Sequence, residues 1–171
     1  MSEVIHSFSC SPIKIFLCSI SSHHNKIALH FSNGYIRVCD LPNFTKSITK
    51  NKDITAISSL PIPEHSNIED IAWSLENEES EYLAVLYGNG IVGLYVYKEG
   101  YDLALFNTVH STKTIDAFCW NKGSLSFICC YQDGSLSHYK LNTTSIQCLY
   151  TLNLPIILNE LSLRLHYPYC F

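Results

Sequence analysis

At 171 residues the chain is long enough to bury one substantial core, and 47% apolar against 15% charged residues excludes an intrinsically disordered segment. Eleven Lys and Arg against fifteen Asp and Glu leave a net charge of -4, without the basic patch a nucleic-acid binder displays. No apolar run reaches the roughly 18–20 residues a membrane-spanning helix needs, and the amino terminus lacks the basic start and apolar stretch of a signal peptide. The expectation is an intracellular protein, of the cytoplasm or nucleus, with no membrane insertion and no nucleic acid among its partners.

Eleven Tyr, eight Phe and abundant Ile and Ser favour strands, and no long Ala/Glu/Lys/Leu segment offers a helix, so the fold class is all-β. In chain order, residues 4–8 form a short strand candidate and residues 13–20 a mostly buried one, closed by the polar turn 21–25. Residues 26–31 and 35–41 flank Asn33-Gly34, and Pro42 then removes a backbone donor and ends the pairing. Residues 44–48 read as a weak fourth strand. Residues 50–67 are the least regular part, with a short strand over 53–57 and a proline-stiffened loop at 60–67.

A strand over 68–74 leads into an acidic turn at 76–81, four of whose six residues are glutamates and which reads as a solvated loop. Residues 82–87 and 91–97 flank Asn89-Gly90, and residues 101–106 supply a further strand. The third unit has a strand at 114–121, a Lys122-Gly123 turn, a hairpin from 125 to 141 around Asp133-Gly134, and a last strand at 145–152. An apolar segment at 154–165 and an aromatic tail complete the chain.

Asn-Gly and Asp-Gly between alternating runs are strong hairpin signals, and a type I′ turn is the expected form because both central residues must take positive φ. Here the signal occurs three times. The preceding strands align as well: Ile-Phe-Leu-Cys-Ser-Ile (15–20), Ile-Glu-Asp-Ile-Ala-Trp (68–73) and Ile-Asp-Ala-Phe-Cys-Trp (115–120). Each unit is therefore strand, turn, strand, Asn/Asp-Gly, strand, turn, strand. The interval from Gly90 to Gly134 is 44 residues, which matches a four-stranded propeller blade of about 40–45 residues. The interval from Gly34 to Gly90 is 56, so it needs an insertion, for which the loop at 60–67 and the turn at 76–81 offer room.

The units resemble WD repeats. Val38-Cys39-Asp40-Leu41 stands where that family ends its third strand with Trp-Asp, and residues 68–73 and 115–120 are similar to its innermost strand. Trp-Asp itself is replaced by Cys-Asp, Val-Tyr and Tyr-Lys, and the Gly-His pair that opens a repeat is missing, although His65 and His110 stand in about the corresponding loops. The resemblance implies a single β-propeller-like unit over 1–171, with about three four-stranded antiparallel blades at 11–57, 66–110 and 112–153 and a tail at 154–171. Three blades leave the ring incomplete, because propellers typically carry about 4–8. Such a fan would expose edge strands and the apolar flanks of its end blades. Three explanations stand: a piece of a longer propeller, completion by blades of a partner or of a second copy, or a different all-β sandwich.

The family implies a non-enzymatic protein-interaction scaffold, a subunit of an intracellular multiprotein complex. The candidate partner-binding rim is Asn33, His65, Asn89, His110 and Asp133, because connections between blades and the turns between the second and third strands fall on one side. The alternatives are a propeller-type hydrolase and a truncated chain without independent function. For the hydrolase, Glu69 and Asp116 occupy matching innermost positions, with Asp70 beside the first; the first unit has Phe16 there. Polar residues on such strands more often simply face water in the channel. No metal site is expected, since the eight Cys contain no C-x-x-C pair and Cys18, Cys39, Cys119, Cys129, Cys130 and Cys148 fall within strands. The adjacent pair His23-His24 reads as part of a solvated turn. No phosphate-binding glycine motif or nucleophile elbow occurs, so no cofactor and no catalytic residue is assigned.

Overall fold

The computed structural model describes residues 6–8, 14–21, 25–50, 54–61, 67–74, 81–98, 103–122 and 124–153. Three four-stranded antiparallel sheets carry the chain, each built in simple up-and-down order. Blade 1 contains β2 (Ile15–Ile20), β3 (Lys26–Phe31), β4 (Tyr35–Asp40) and β6 (Ser58–Pro61), and is preceded by β1 (His6–Phe8). Blade 2 contains β7 (Ile68–Trp73), β8 (Glu81–Tyr87), β9 (Ile91–Tyr97) and β10 (Ala104–His110). Blade 3 contains β11 (Ile115–Trp120), β12 (Ser126–Tyr131), β13 (Ser135–Leu141) and β14 (Ile146–Asn153). The innermost strands β2, β7 and β11 neighbour one another in that order, so the blades fan side by side around one edge.

The three glycine turns differ from the expected type I′. Gly34, Gly90 and Gly134 have φ of 79°, 78° and 79°, while Asn33, Asn89 and Asp133 do not take positive φ. Each glycine N–H instead donates to the carbonyl three residues earlier, on Phe31, Tyr87 and Tyr131, at 3.2, 3.0 and 2.9 Å. Phe31 pairs with Tyr35 and Tyr87 with Ile91, which makes each connection a three-residue loop closed by a left-handed glycine. The asparagine or aspartate helps from its side chain. Asn89 Oδ1 accepts from the Ile91 N–H at 3.3 Å and Asp133 Oδ1 from the Ser135 N–H at 2.9 Å.

A second difference lies between β4 and β6. Residues 44–48 do not form the outer strand of blade 1; Leu41–Thr49 is a helix, α1, and the outer strand is Ser58–Pro61. Asp40 caps α1, its Oδ2 accepting from the Asn43 N–H at 3.1 Å, and Pro42 sits in the first turn, where its missing N–H costs nothing. The proline that ends the β4 pairing therefore also starts a helix. A short strand, β5 (Ile54–Ala56), follows and pairs antiparallel with β1. The extra length between Gly34 and Gly90 thus resides in residues 41–57, where blades 2 and 3 need only residues 98–103 and 142–145.

Two clusters of buried side chains form the contacts between blades. Ala28, Ile36 and Val38 of blade 1 meet Ile68, Ile71, Trp73, Leu83 and Val85 of blade 2. Ala84, Leu86, Val92 and Leu94 of blade 2 meet Ile115, Phe118, Trp120, Phe127 and Cys129 of blade 3. Period-2 alternation explains how one strand serves two cores, since neighbouring residues face opposite sides of the sheet. A third cluster lies on the far side of blade 1. There Ile27, Leu29, Phe31 and Cys39 pack with Ala56, Leu41 and Phe44, so α1 and the residues next to it cover part of the flank that a bare fan would expose.

Polar ties cross the contact between blades 1 and 2. The Trp73 N–H donates to Ser19 Oγ at 3.1 Å, and the Leu103 N–H donates to Ser58 Oγ at 2.8 Å. Glu81, expected in a solvated turn, is buried: Ser21 Oγ donates to its Oε1, and the Lys26 ammonium lies 4.0 Å from Oε2 and 4.8 Å from the Tyr97 ring centre. The other residues of that acidic turn, 76–80, lie outside the described residues, as do residues 62–66 and the tail 154–171.

Candidate interaction rim

All three innermost strands carry a β-bulge near their start. The register slips between Ile15 and Leu17, between Ile68 and Asp70, and between Ile115 and Ala117. The residues skipped are Phe16, Glu69 and Asp116, and all three are exposed. A bulge releases one residue from the ladder and re-aims its side chain. The matching positions noted in the sequence are thus structurally equivalent.

Above the bulges, each turn is tied to the segment that enters its innermost strand. Ser32, Gly88 and Gln132 donate their N–H groups to the carbonyls of Lys14, Asn67 and Thr114, at 2.9, 2.9 and 3.1 Å. These bonds place the turns and the connections between blades on one rim. Asn33, Asn89 and Asp133 are exposed at the three turns. His110 ends β10 and is exposed, with its Nε2 3.0 Å from Thr108 Oγ1; the next residue, Ser111, donates its N–H to the Gly90 carbonyl at 3.2 Å. Asn89 and His110 therefore stand next to each other. His65 lies outside the described residues.

The rim between blades 2 and 3 has the richest chemistry. Lys113, in the connection between them, reaches Asp133 Oδ2 at 2.7 Å and Ser135 Oγ at 2.9 Å, with its ammonium 5.7 Å from the Tyr131 ring centre. Ser135 Oγ also donates to Asp133 Oδ1 at 2.5 Å. The Lys113 hydrogen bond, reinforced by Ser135, holds the Asp133 carboxyl well below the usual carboxylate range. Lys113 and Ser135 were missed in the sequence. The only available signal was a lysine a few residues before a strand whose turn carries an acid, which is too common to single out. On blade 1 the Arg37 guanidinium lies 5.4 Å from the ring centre of Tyr35.

The channel carboxylates engage separate neighbours. Glu69 leans over the turn of its own blade, where a side chain at Gly88 would meet its Oε1 at 2.9 Å. Asp70 is half-buried with its Oδ1 accepting from the Ile71 N–H at 2.8 Å, and burial raises its carboxyl above the ordinary range. Asp116 stands close enough to Cys130 to raise that thiol, behind the larger effects of burial and of Cys119. Burial pushes the Cys129 thiol up to about 12, as befits a core residue. Among the described residues no group of three His, Cys, Asp or Glu is placed to hold a metal ion, and no helix is long and apolar enough to cross a membrane.

Two tyrosine pairs repeat between blades. The hydroxyls of Tyr87 and Tyr95 are 2.8 Å apart, and those of Tyr131 and Tyr139 are 3.0 Å apart. Tyr95 and Tyr139 each lie five residues after the turn glycine, where blade 1 has Cys39. The pairs therefore belong to the repeat, on blades 2 and 3, at the position where Cys39 of blade 1 stands for the Trp of a Trp-Asp ending; in this register the blade 2 replacement is Tyr95-Val96 and not Val96-Tyr97.

No family model matches the sequence, and no curated protein does. Solved structures do match. The chain superposes on Sqt1 of Saccharomyces cerevisiae with a TM-score of 0.65 at 13% identity, over 86% of this chain and 38% of that one. It superposes on the WD40 domain of SCAP from fission yeast with a TM-score of 0.58 at 12% identity, over 85% and 33%. The β-propeller domain of Cps50 (Swd1) from Myceliophteria thermophila gives a TM-score of 0.60 at 11% identity, over 84% and 44%. The chain spans less than half the length of each of these three neighbours. Three four-stranded sheets side by side, each tied turn to strand in the same way, give this chain the fold of three β-propeller blades, similar to that of these WD40 domains.

Proposed function

We propose that the chain is a non-enzymatic protein-interaction scaffold, a WD-repeat subunit of an intracellular multiprotein complex, working in the cytoplasm or nucleus. The observation that carries this is the rim. It gathers exposed Asn33, Asn89, His110 and Asp133 on one side, on turns held in place by backbone hydrogen bonds to the strand entries. Rigidly held polar tips on a β scaffold present a shaped surface at low entropic cost of binding.

The matched neighbours support the reading through their shared fold, and one further neighbour, matched at 13% identity over 84% of this chain and 40% of its own at a TM-score of 0.57, is a chain in the crystal structure of the mitotic checkpoint complex. The experiment is a native pulldown from source cells with quantitative mass spectrometry. An Asn89→Arg/Asp133→Arg rim variant is compared with Lys122→Glu, a change in the turn between β11 and β12 at the opposite end of the strands. Partners enriched on wild type should be lost from the rim variant and kept by Lys122→Glu. Identical capture by wild type and both variants would sink the assignment of the rim.

A further inference from the structure

The two ends of the fan carry the two halves of a contact the molecule already makes twice. In each internal contact, the following blade offers three residues of its innermost strand, Ile68, Ile71 and Trp73 or Ile115, Phe118 and Trp120, beside two of its second strand, Leu83 and Val85 or Phe127 and Cys129. All ten are buried. The same innermost-strand positions of blade 1 are Ile15, Cys18 and Ile20. They pair across the sheet with Phe31, Leu29 and Ile27, so they lie on the flank away from blade 2. Here they are bare: Ile15 is 43% exposed, Ile20 is 58% exposed, and Cys18 is exposed.

The preceding blade offers the other half, from its second and third strands. In blade 2 these residues are Ala84, Leu86, Val92 and Leu94, all fully buried. The same positions of blade 3 are Ile128, Cys130, Leu136 and His138, paired across β12 and β13 as Ile128 with His138 and Cys130 with Leu136. None of these four is buried. Their row continues outward to Tyr150 and Leu152 on β14, 51% and 50% exposed. Blade 3 thus ends in an unfilled socket, and blade 1 begins with the innermost-strand part of the plug unseated, while Ile27 and Leu29, its second-strand part, are packed under Ala56, Leu41 and Phe44.

We propose that two copies of the chain join head to tail. The Ile15, Cys18 and Ile20 edge of each copy seats on the Ile128, Cys130 and Leu136 face of the other. Two sets of three blades then close a six-bladed ring, within the range of about 4–8 that propellers adopt. The helix α1 is compatible with this closure. Blades radiate from an axis, so the gap between neighbours is narrow at the innermost strands and wide further out. Leu41 and Phe44 of α1 pack over β3 and β4, in the wide part, and leave β2 bare. The proposal does not depend on the rim or on any outside partner.

The test is the mass in solution, by size-exclusion chromatography with light scattering across a concentration series. A species of twice the 19.4 kDa chain is expected, dissociating on dilution. Ile20→Glu and Leu136→Glu should each lose the two-copy species, with an unchanged circular dichroism spectrum; Ile20 is exposed, so its replacement leaves the internal packing alone. Mixing the two variants is decisive. A head-to-tail contact leaves one intact plug facing one intact socket, so the mixture regains a two-copy species that neither variant forms alone. A wild-type chain at single-copy mass throughout, an open-ended series of larger species, or a mixture that stays single-copy overturns the proposal.

Discussion

The indole Nε1–H of Trp120 donates to the carbonyl of Ala72 at 3.1 Å, joining the innermost strand of blade 3 to that of blade 2. Trp73 occupies the same repeat position against blade 1, yet its Nε1 is buried without a partner among the described residues. One repeat position thus exists with and without its polar tie. Replacement by phenylalanine separates the two terms. Trp120→Phe should cost about 1 kcal/mol more than Trp73→Phe, the usual net worth of one hydrogen bond. Urea denaturation of both variants under identical conditions measures the difference, and equal losses would show that the Ala72 bond contributes nothing net.

Glu81 makes a stronger prediction because its carboxylate is inside. Removing it leaves the half-buried Lys26 ammonium without its counter-charge and Ser21 Oγ without this acceptor. Glu81→Ala should therefore destabilise the chain by about 2–4 kcal/mol, in the range for breaking a buried charged pair. Glu81→Gln keeps an acceptor and the volume and should lose less. Chemical denaturation of the two variants beside wild type decides this. A Glu81→Ala loss no larger than that of an exposed carboxylate would put the side chain in water.

The turn glycines share their φ but not their surroundings. A side chain at Gly34 would meet nothing within 4 Å, whereas one at Gly90 would come 3.2 Å from the Lys113 carbonyl. Alanine at either position pays the left-handed backbone cost of roughly 1–2 kcal/mol. At Gly90 it must also displace the connection to blade 3. Gly90→Ala should therefore lower the thermal midpoint more than Gly34→Ala, in a melt followed by circular dichroism. The reverse order would mean that the connection yields freely.

The Asp133 carboxyl gives a pH signature. Its folded value is depressed by Lys113 and Ser135, so it binds protons less readily in the folded chain than in the unfolded one. Its stabilising effect is then present above the unfolded value of about 3.9 and is lost as pH falls from there towards the folded value. The group is exposed, so the effect is small and salt screens it. A carboxyl titration followed by NMR should show the Asp133 midpoint rising in Lys113→Ala, and less of a rise in high salt. A midpoint indifferent to Lys113 would remove the ion pair from the rim.

Much of this architecture was written locally. The three glycine turns, the strands leading into them and the innermost strands ending in Trp73 and Trp120 depend on alternation and turn chemistry, which act over a few residues. Pro42 was ambiguous for the same reason: it stops a strand and it starts a helix, and only the Asp40 side chain two residues earlier tips the balance. The type of turn turned on whether Asn33 or its predecessor Ser32 occupied the first central position, a one-residue choice that hydrophobic alternation does not set. The burial of Glu81 was illegible, because it depends on Ser21 and Lys26 some sixty residues away and on how one sheet lies against the next. The candidate site was legible to a similar degree. Asn33, Asn89, His110 and Asp133 were named from turn and loop positions, whereas Lys113 emerges only when blade 3 is set beside blade 2.

The bulges at Phe16, Glu69 and Asp116 free three positions from both contacts between blades; Phe16 rests on the His30 ring and Glu69 over Gly88, each within its own blade. Their neighbours are committed to one blade contact or the other, but these three side chains belong to neither. Charge or bulk along the axis can therefore change by substitution there without loosening a blade, as the phenylalanine, glutamate and aspartate already show. The axis of this fan is an independently adjustable lining set within a fixed frame.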